Sequence, residues 1–198
     1  FGDIRLKLDT ETLFKNNLTL LSSSSIGLIN NMDDLKLKSD SIIPHVRTDI
    51  VSYLRESEKF QIDRLQLNSF HNLSQNIYAK ASIGILEEMF GGLGGEVLYR
   101  PFQKNYGIGA ELWRVKQRDY NMLFSFRDYI TTTGHINLYF IDPRSRIQFA
   151  LKGGKFLAGD SGINFDFSRR FDSGLSVGAF FSLTDISKRE FGEGSFDK

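Results

Sequence analysis

The stretch Ile163-Asn164-Phe165-Asp166-Phe167-Ser168-Arg169-Arg170-Phe171-Asp172-Ser173-Gly174-Leu175-Ser176-Val177-Gly178-Ala179-Phe180-Phe181-Ser182-Leu183-Thr184 decides the fold. Ile163, Phe165 and Phe167 alternate with Asn164, Asp166, Ser168 and Arg170. Beyond Asp-Ser-Gly, Leu175, Val177, Ala179, Phe181 and Leu183 alternate with Ser176, Gly178, Ser182 and Thr184. Successive strand side chains point to opposite faces, so this is a hairpin with one apolar and one polar face. Phe180 is the exception on the polar side.

The same alternation runs through most of the chain. Residues 2–14 set Ile4, Leu6 and Leu8 against Arg5 and Lys7, and a second apolar, Ser-rich run reaches about Ile29. A polar turn, Lys15-Asn16-Asn17, makes these a hairpin. Asn30 to Ser41 reads as a loop. Val46, Ile50, Tyr53 and Leu54 have helical spacing over 46–57, with Thr48 in the N-cap place. Strands then follow at 60–69, 77–87, 94–101, 106–117, 122–132, 134–142, 146–158, 162–171 and 174–185, about eleven in all, with short connections and a kink at Gly134. The expected organisation is a single barrel-type domain over 1–198. It comprises an N-terminal hairpin and loop (1–45), a short helix (46–59) that plugs a lumen or packs on a sheet edge, and a strand meander (60–198).

Composition agrees with an all-β chain. The 198 residues include 18 Phe, 7 Tyr and 18 Gly, types suited to pleated surfaces, tight turns and close-packed walls. A net charge of +1 gives no electrostatic case for nucleic acid. Cysteine is absent, which removes disulfides, thiolate catalysis and thiolate metal sites. No run approaches the roughly 18 apolar residues of a spanning helix, so a membrane role would fall to strands. The opening Phe1-Gly2-Asp3, without Met or a charged leader, suggests a mature or excised sequence.

Alternation suits both a soluble sandwich, whose apolar face is the core, and an outer-membrane barrel, whose apolar face meets lipid. Strands near ten residues, short turns and abundant Phe and Tyr favour the barrel. Asp128, in line with Phe124 and Phe126, favours the sandwich.

The run Leu86-Glu87-Glu88-Met89-Phe90-Gly91-Gly92-Leu93-Gly94-Gly95-Glu96-Val97-Leu98-Tyr99-Arg100-Pro101-Phe102 is idiosyncratic. With Val46-Arg47-Thr48-Asp49, Tyr53-Leu54-Arg55-Glu56, Gln117-Arg118-Asp119-Tyr120, Arg127-Asp128-Tyr129, Thr133-Gly134-His135, Leu138-Tyr139, Leu157-Ala158-Gly159-Asp160, Ser168-Arg169-Arg170-Phe171-Asp172 and Phe191-Gly192-Glu193-Gly194-Ser195-Phe196-Asp197-Lys198, it resembles the YjbH-type exopolysaccharide-biosynthesis family. The resemblance covers roughly residues 44–198 in unbroken order. It implies an all-β antiparallel up-and-down meander, an outer-membrane β-barrel or part of one, acting without catalysis in secretion of a capsule or biofilm polymer. Members are much longer and carry a signal and often a lipidation cysteine, so the resemblance also implies an excised piece. The partners implied are the polymer, outer-membrane lipid and periplasmic proteins of the same export operon, with no nucleic acid. A soluble periplasmic β-domain that docks onto the export machinery is the alternative.

Motifs that suggest chemistry have plainer readings. Gly91-Gly92-Leu93-Gly94-Gly95 lacks the Gly-Lys-Ser/Thr ending of a phosphate loop and is expected to be a sharp bend or bulge between strands. Gly159-Asp160-Ser161-Gly162 looks like a serine-protease nucleophile segment, but none of His45, His71 and His135 stands in a supporting motif, and a turn fits better. His135 has no second ligand at i+2 or i+4, so no metal is expected, and nothing calls for a cofactor. Adjacent Glu87 and Glu88 would face opposite sides of a strand. The polar faces carry the functional expectation. Arg114, Arg118, Arg127, Tyr129, Asp160, Asp166 and Arg170 are the expected lumen or rim contacts to a sugar polymer, through ion pairs, hydrogen bonds and ring stacking. The plainer reading of each is a structural Arg–Asp pair.

Overall fold

The computed structural model describes residues 2–15, 17–31, 41–56, 59–187 and 190. The strands are β1 (Asp3–Phe14), β2 (Leu18–Asn30), β3 (Phe60–Ser74), β4 (Ile77–Ile85), β5 (Phe90–Tyr99), β6 (Tyr106–Arg118), β7 (Phe126–Asp142), β8 (Ile147–Lys155), β9 (Ser161–Arg170) and β10 (Ser176–Thr184). One short helix, α1 (Ile50–Arg55), lies between β2 and β3. The strands form one ten-stranded antiparallel sheet in sequence order, and β1 does not pair with β10. The fold is the expected all-β meander, not closed into a barrel within these residues. The segment 191–198 of the quoted motifs lies outside the described residues.

Four expectations are corrected. Residues 122–132 and 134–142 are not two strands: β7 runs through Gly134, which pairs with Leu112 on β6 and Lys155 on β8. The glycine run 91–95 is not a bend either. It lies inside β5, whose ladders to β4 and β6 run without a register shift. A Cβ at Gly94 would collide with the Trp113 ring, so that glycine is there to let an aromatic plane lie across the strand. The helix is shorter than 46–57, and Asp49 rather than Thr48 occupies its N-cap, without a side-chain cap bond. Gln75 and Asn76 alone turn β3 into β4, because β3 extends through Ser74.

Register divides the side chains into two faces. One carries Ser23, Ser25, Asn68, Ser82, Glu111, Thr133, His135, Asn137, Lys152 and Asn164. The other carries Ile4, Leu6, Leu8, Leu112, Ile136, Leu138, Phe149, Phe165, Phe181 and Leu183. The polar face is the sheltered one: Asn68 is 3% exposed and Thr133 5%, against 63% for Leu112 and 64% for Ile136. A water-soluble sheet does the reverse, because burying apolar area yields about 25 cal/mol per Å² and burying polar groups costs free energy unless they are hydrogen-bonded. The polarity of this sheet is inverted.

The two ends of the meander also differ. At the turn end lie residues 15 and 17 and the connections 75–76, 100–105, 143–146 and 171–175. At the other, here the helix end, lie α1 and the loops 86–89, 119–125 and 156–160. The apolar core is at the helix end. Tyr53, Met89, Phe90, Val115 and Met122 form it, flanked by Val46, Ile50, Leu86, Trp113, Tyr120, Tyr129 and Leu157. The α1 segment thus covers this end of the sheltered face through Tyr53, which meets Tyr120 edge-on at 5.0 Å between ring centres.

Candidate functional site

The sheltered face is cross-linked from strand to strand. Ser25 Oγ donates to Asp63 Oδ1 at 2.9 Å, and Lys7 Nζ lies 3.5 Å from Asp63 Oδ2. The register shift of β2 on β3 between Ser23 and Ser24 is the bulge that turns Asp63 inward. Ser82 Oγ and Gln66 Nε2 both donate to Asn68 Oδ1, each at 2.6 Å. Lys80 pairs with Glu96. Further round, Glu111 Oε1 lies 2.9 Å from His135 Nδ1 and 2.5 Å from Lys152 Nζ. Asn68–Ser82, Lys80–Glu96 and Glu111–His135 are direct register partners, about 5 Å apart, whereas Lys7–Asp63 and Lys152–Glu111 reach across an intervening strand. Trp113 lies on the same face, with Lys80 Nζ 5.6 Å from its ring centre. These groups offer carboxylates, amides, ammonium groups and an aromatic plane, the set that hydrogen-bonds and stacks on sugars.

The helix end is held by one guanidinium. Arg118 is fully buried, and its Nη atoms donate to the carbonyls of Ile62 at 2.8 Å, Glu87 at 3.4 Å, Glu88 at 2.8 Å, Leu123 at 2.8 Å and Met122. Gln117, opposite Phe90, lies on the inner face with Val115, and a second register shift, between Lys116 and Arg118, interrupts the ladder to β7 beside it. Tyr53 Oη donates to the Arg118 carbonyl at 2.7 Å, fastening α1 to the end of β6. Burial pushes the Tyr53 phenol up to about 12, so it remains a donor. Tyr120 Oη donates to Asp49 at 2.8 Å, and burial raises its pKa too, in the same direction as the adjacent carboxylate. His45 faces two acceptors, the Ser41 carbonyl at 2.9 Å and Asp49 Oδ1 at 2.8 Å. The Ser41 carbonyl first, and Asp49 with it, raise its pKa, since only the doubly protonated ring satisfies both.

A cavity of about 600 Å³ opens beside this end, lined by Lys7, Asp9, Glu11, Arg47, Asp63 and Glu87 among others. Two of its lining residues, Arg47 and Glu87, pair at 2.6 Å.

The residues expected to touch polymer are spread over five places. Arg114 is on the outer face, opposite Leu93 and Thr132. Arg118 is buried with both Nη groups engaged. Arg127 stacks over the Tyr120 ring at 4.3 Å, and Tyr129 Oη donates to the Leu157 carbonyl at 2.6 Å, both at the helix end. Asp160 closes the loop before β9, its carbonyl accepting from Phe156 N–H at 2.8 Å. Asp166 and Arg170 project from the inner face of β9, nearer the turn end. Sequence reasoning missed Asp63, Glu96, Glu111 and Lys152. Their alternation with apolar neighbours was visible, but their pairing needed the register.

A family model described as "Exopolysaccharide biosynthesis protein YbjH" matches residues 2–198. The chain belongs to the YjbH exopolysaccharide-biosynthesis family. It is 37% identical over 188 residues to the "Uncharacterized lipoprotein YjbH" of Escherichia coli (strain K12). That match covers 90% of this chain and 27% of the relative, so the chain spans about a quarter of the length of that protein. No solved structure matches. The family match reaches into the first forty residues, where the motifs were least distinctive.

Proposed function

We propose that this chain is wall and end-plug of an outer-membrane β-barrel that serves exopolysaccharide secretion without catalysing a reaction. The observation that carries this reading is the inverted polarity: a polar face under shelter, cross-linked in part by hydrogen bonds and ion pairs, and an apolar face left open. Lipid is the solvent that rewards that arrangement, because hydrocarbon takes the apolar face while the lumen hydrates the polar one. The outer face also carries rings that touch across strands, Phe140–Phe149 at 6.3 Å, Phe149–Phe167 at 5.3 Å and Phe165–Phe181 at 5.3 Å, in keeping with an aromatic girdle. No helix among the described residues is long and apolar enough to cross a membrane, a statement that does not bear on strands.

On this reading the polymer is guided by inner-face groups. Arg127, Tyr129, Asp160, Asp166 and Arg170 keep the role expected of them, and Glu96, Glu111 and Lys152 join them. Arg114 faces lipid headgroups or hydrocarbon, and Arg118 holds the plug. Partners are the polymer, outer-membrane lipid and proteins of the same export operon.

A docking module in the periplasm is the second reading, favoured by the lipoprotein name of the E. coli relative, since a lipid anchor can tether a module that does not span. Fractionation of the full-length protein separates the two. A folded, SDS-resistant, faster-migrating band in the outer-membrane fraction supports the barrel. A band released as soluble protein once the anchor is removed supports the docking module instead. Generation of new reducing ends when purified protein is incubated with polymer would overturn the non-catalytic part.

A further inference from the structure

We infer that the free edge of β10 is a strand-pairing site, filled in the full-length protein by the next strand of the same polypeptide. The inference rests on the barrel reading and adds which amides make the joint. Phe171 N–H donates to the Leu175 carbonyl at 2.8 Å, and Asp185 N–H donates to the Ser161 carbonyl at 3.0 Å. Register places Thr184 opposite Gly162 and Ser176 opposite Arg170. Residues of an antiparallel pair alternate between hydrogen-bonded and non-hydrogen-bonded positions. The odd-numbered residues 175–185 therefore bond to β9, while Ser176, Gly178, Phe180, Ser182 and Thr184 aim their N–H and C=O groups at the open edge.

Edges that must stay free are blunted with charge, proline, bulges or short length. Between Ser176 and Thr184 there is no charged residue and no proline, and the ladder to β9 has no register shift. All nine residues of β10 are exposed, including Phe180 on the polar face at 75%. In a bilayer an unpaired edge of this length is not viable, because each orphaned backbone group costs several kcal/mol.

The occupant follows from the meander. Every ladder here joins strands consecutive in sequence. The matched stretch is 27% of the E. coli relative, so a full-length chain holds ample further sequence for strands. A tethered strand also outcompetes a second molecule through its effective concentration. The incoming strand should be antiparallel and uncharged opposite Val177, Ala179, Phe181 and Leu183.

Amide hydrogen exchange of the full-length protein in detergent tests this. The even-numbered amides 178, 180 and 182 should be protected to within about tenfold of amides 179 and 181. Exchange of the even set a hundredfold faster or more would overturn the inference. Loss of their protection on dilution to monomer would assign the edge to a second copy, and would overturn it as well. So would a disulfide between Ser182→Cys and any of Arg5→Cys, Lys7→Cys or Asp9→Cys, since that places β1 there. Ser182→Pro supplies an independent readout: it spares the β9 ladder, yet should abolish the SDS-resistant band if a strand pairs beyond it, and should leave the band intact if the edge is free. Protected even amides in a protein that fractionates as soluble would sink the membrane reading while leaving this one standing.

Discussion

The helix end and the strand wall bury opposite things. At the helix end Tyr53, Met89, Phe90, Val115 and Met122 close on one another around α1, as in a small water-soluble core. Along the wall Asn68, Thr133 and Asn137 are sheltered while Leu112, Ile136 and Leu183 stand open. The two regions follow opposite rules of burial. On the barrel reading proposed above, the helix end is organised for water and the wall for hydrocarbon, with the boundary near Val115 and Arg118 on β6.

Mutations should separate the two regions. The largest effect is expected from Arg118→Met, which leaves buried carbonyls without a donor. At roughly 1–3 kcal/mol for each unsatisfied group, the helix end should lose more than about 4 kcal/mol and detach. Proteolysis within residues 41–56 reads this directly, and an unchanged digestion pattern would break the account of Arg118. On the wall, Phe165→Lys or Phe181→Lys should cost about 2–4 kcal/mol of insertion free energy near the bilayer midplane, while Ser182→Lys on the inner face is tolerated. Equal damage from both faces in a refolding titration into lipid would erase the contrast.

Smaller effects concern the helix end alone. Tyr53→Phe removes one hydrogen bond and should cost about 0.5–1.5 kcal/mol, read as a shift in the thermal midpoint. The Tyr53 phenol is raised, so its contribution is complete below its ordinary value near 10 and fades as pH climbs toward about 12. The His45 ring is also raised. Its contribution is therefore complete below its ordinary value of 6.5 and is lost as pH rises through its higher folded value. Protease sensitivity of residues 41–56 should increase modestly across that window, and His45→Ala should flatten the profile. Arg47→Ala, which removes a largely exposed ion pair to Glu87, should cost about 0–1 kcal/mol and change nothing on the wall.

Much of the wall was legible beforehand because a two-residue period survives any tertiary context: Ile163 to Thr184 reads the same in sequence and in register. What escaped was parity. Tyr106 to Arg118 alternates ambiguously, since Glu111, Trp113 and Gln117 compete with Arg114, Lys116 and Arg118 for the polar face. Leu112 and Ile108 resolve it by sharing Arg114's side, while Arg118, beyond the register shift, is wrapped by the helix-end segments around Ile62, Glu88 and Met122. Gly134 and the 91–95 glycines misled because glycine signals a turn locally, whereas here close neighbours such as the Trp113 ring require it within a strand. The Glu111–His135–Lys152 contact joins three strands, and no spacing in the sequence announces it.

Arg118 has one more consequence, for anyone who wishes to lengthen this chain. Its guanidinium is a single knot tying β3 at Ile62, the segment around Glu87 and Glu88, and the segment around Met122 and Leu123. A foreign peptide spliced after Glu87 or Leu123 would pull on all three at once. The hairpin tip after Ser173 is tied to the neighbouring connection by the exposed Arg146–Asp172 ion pair and carries no such knot, and an epitope tag should be accepted there with the rest of the molecule undisturbed.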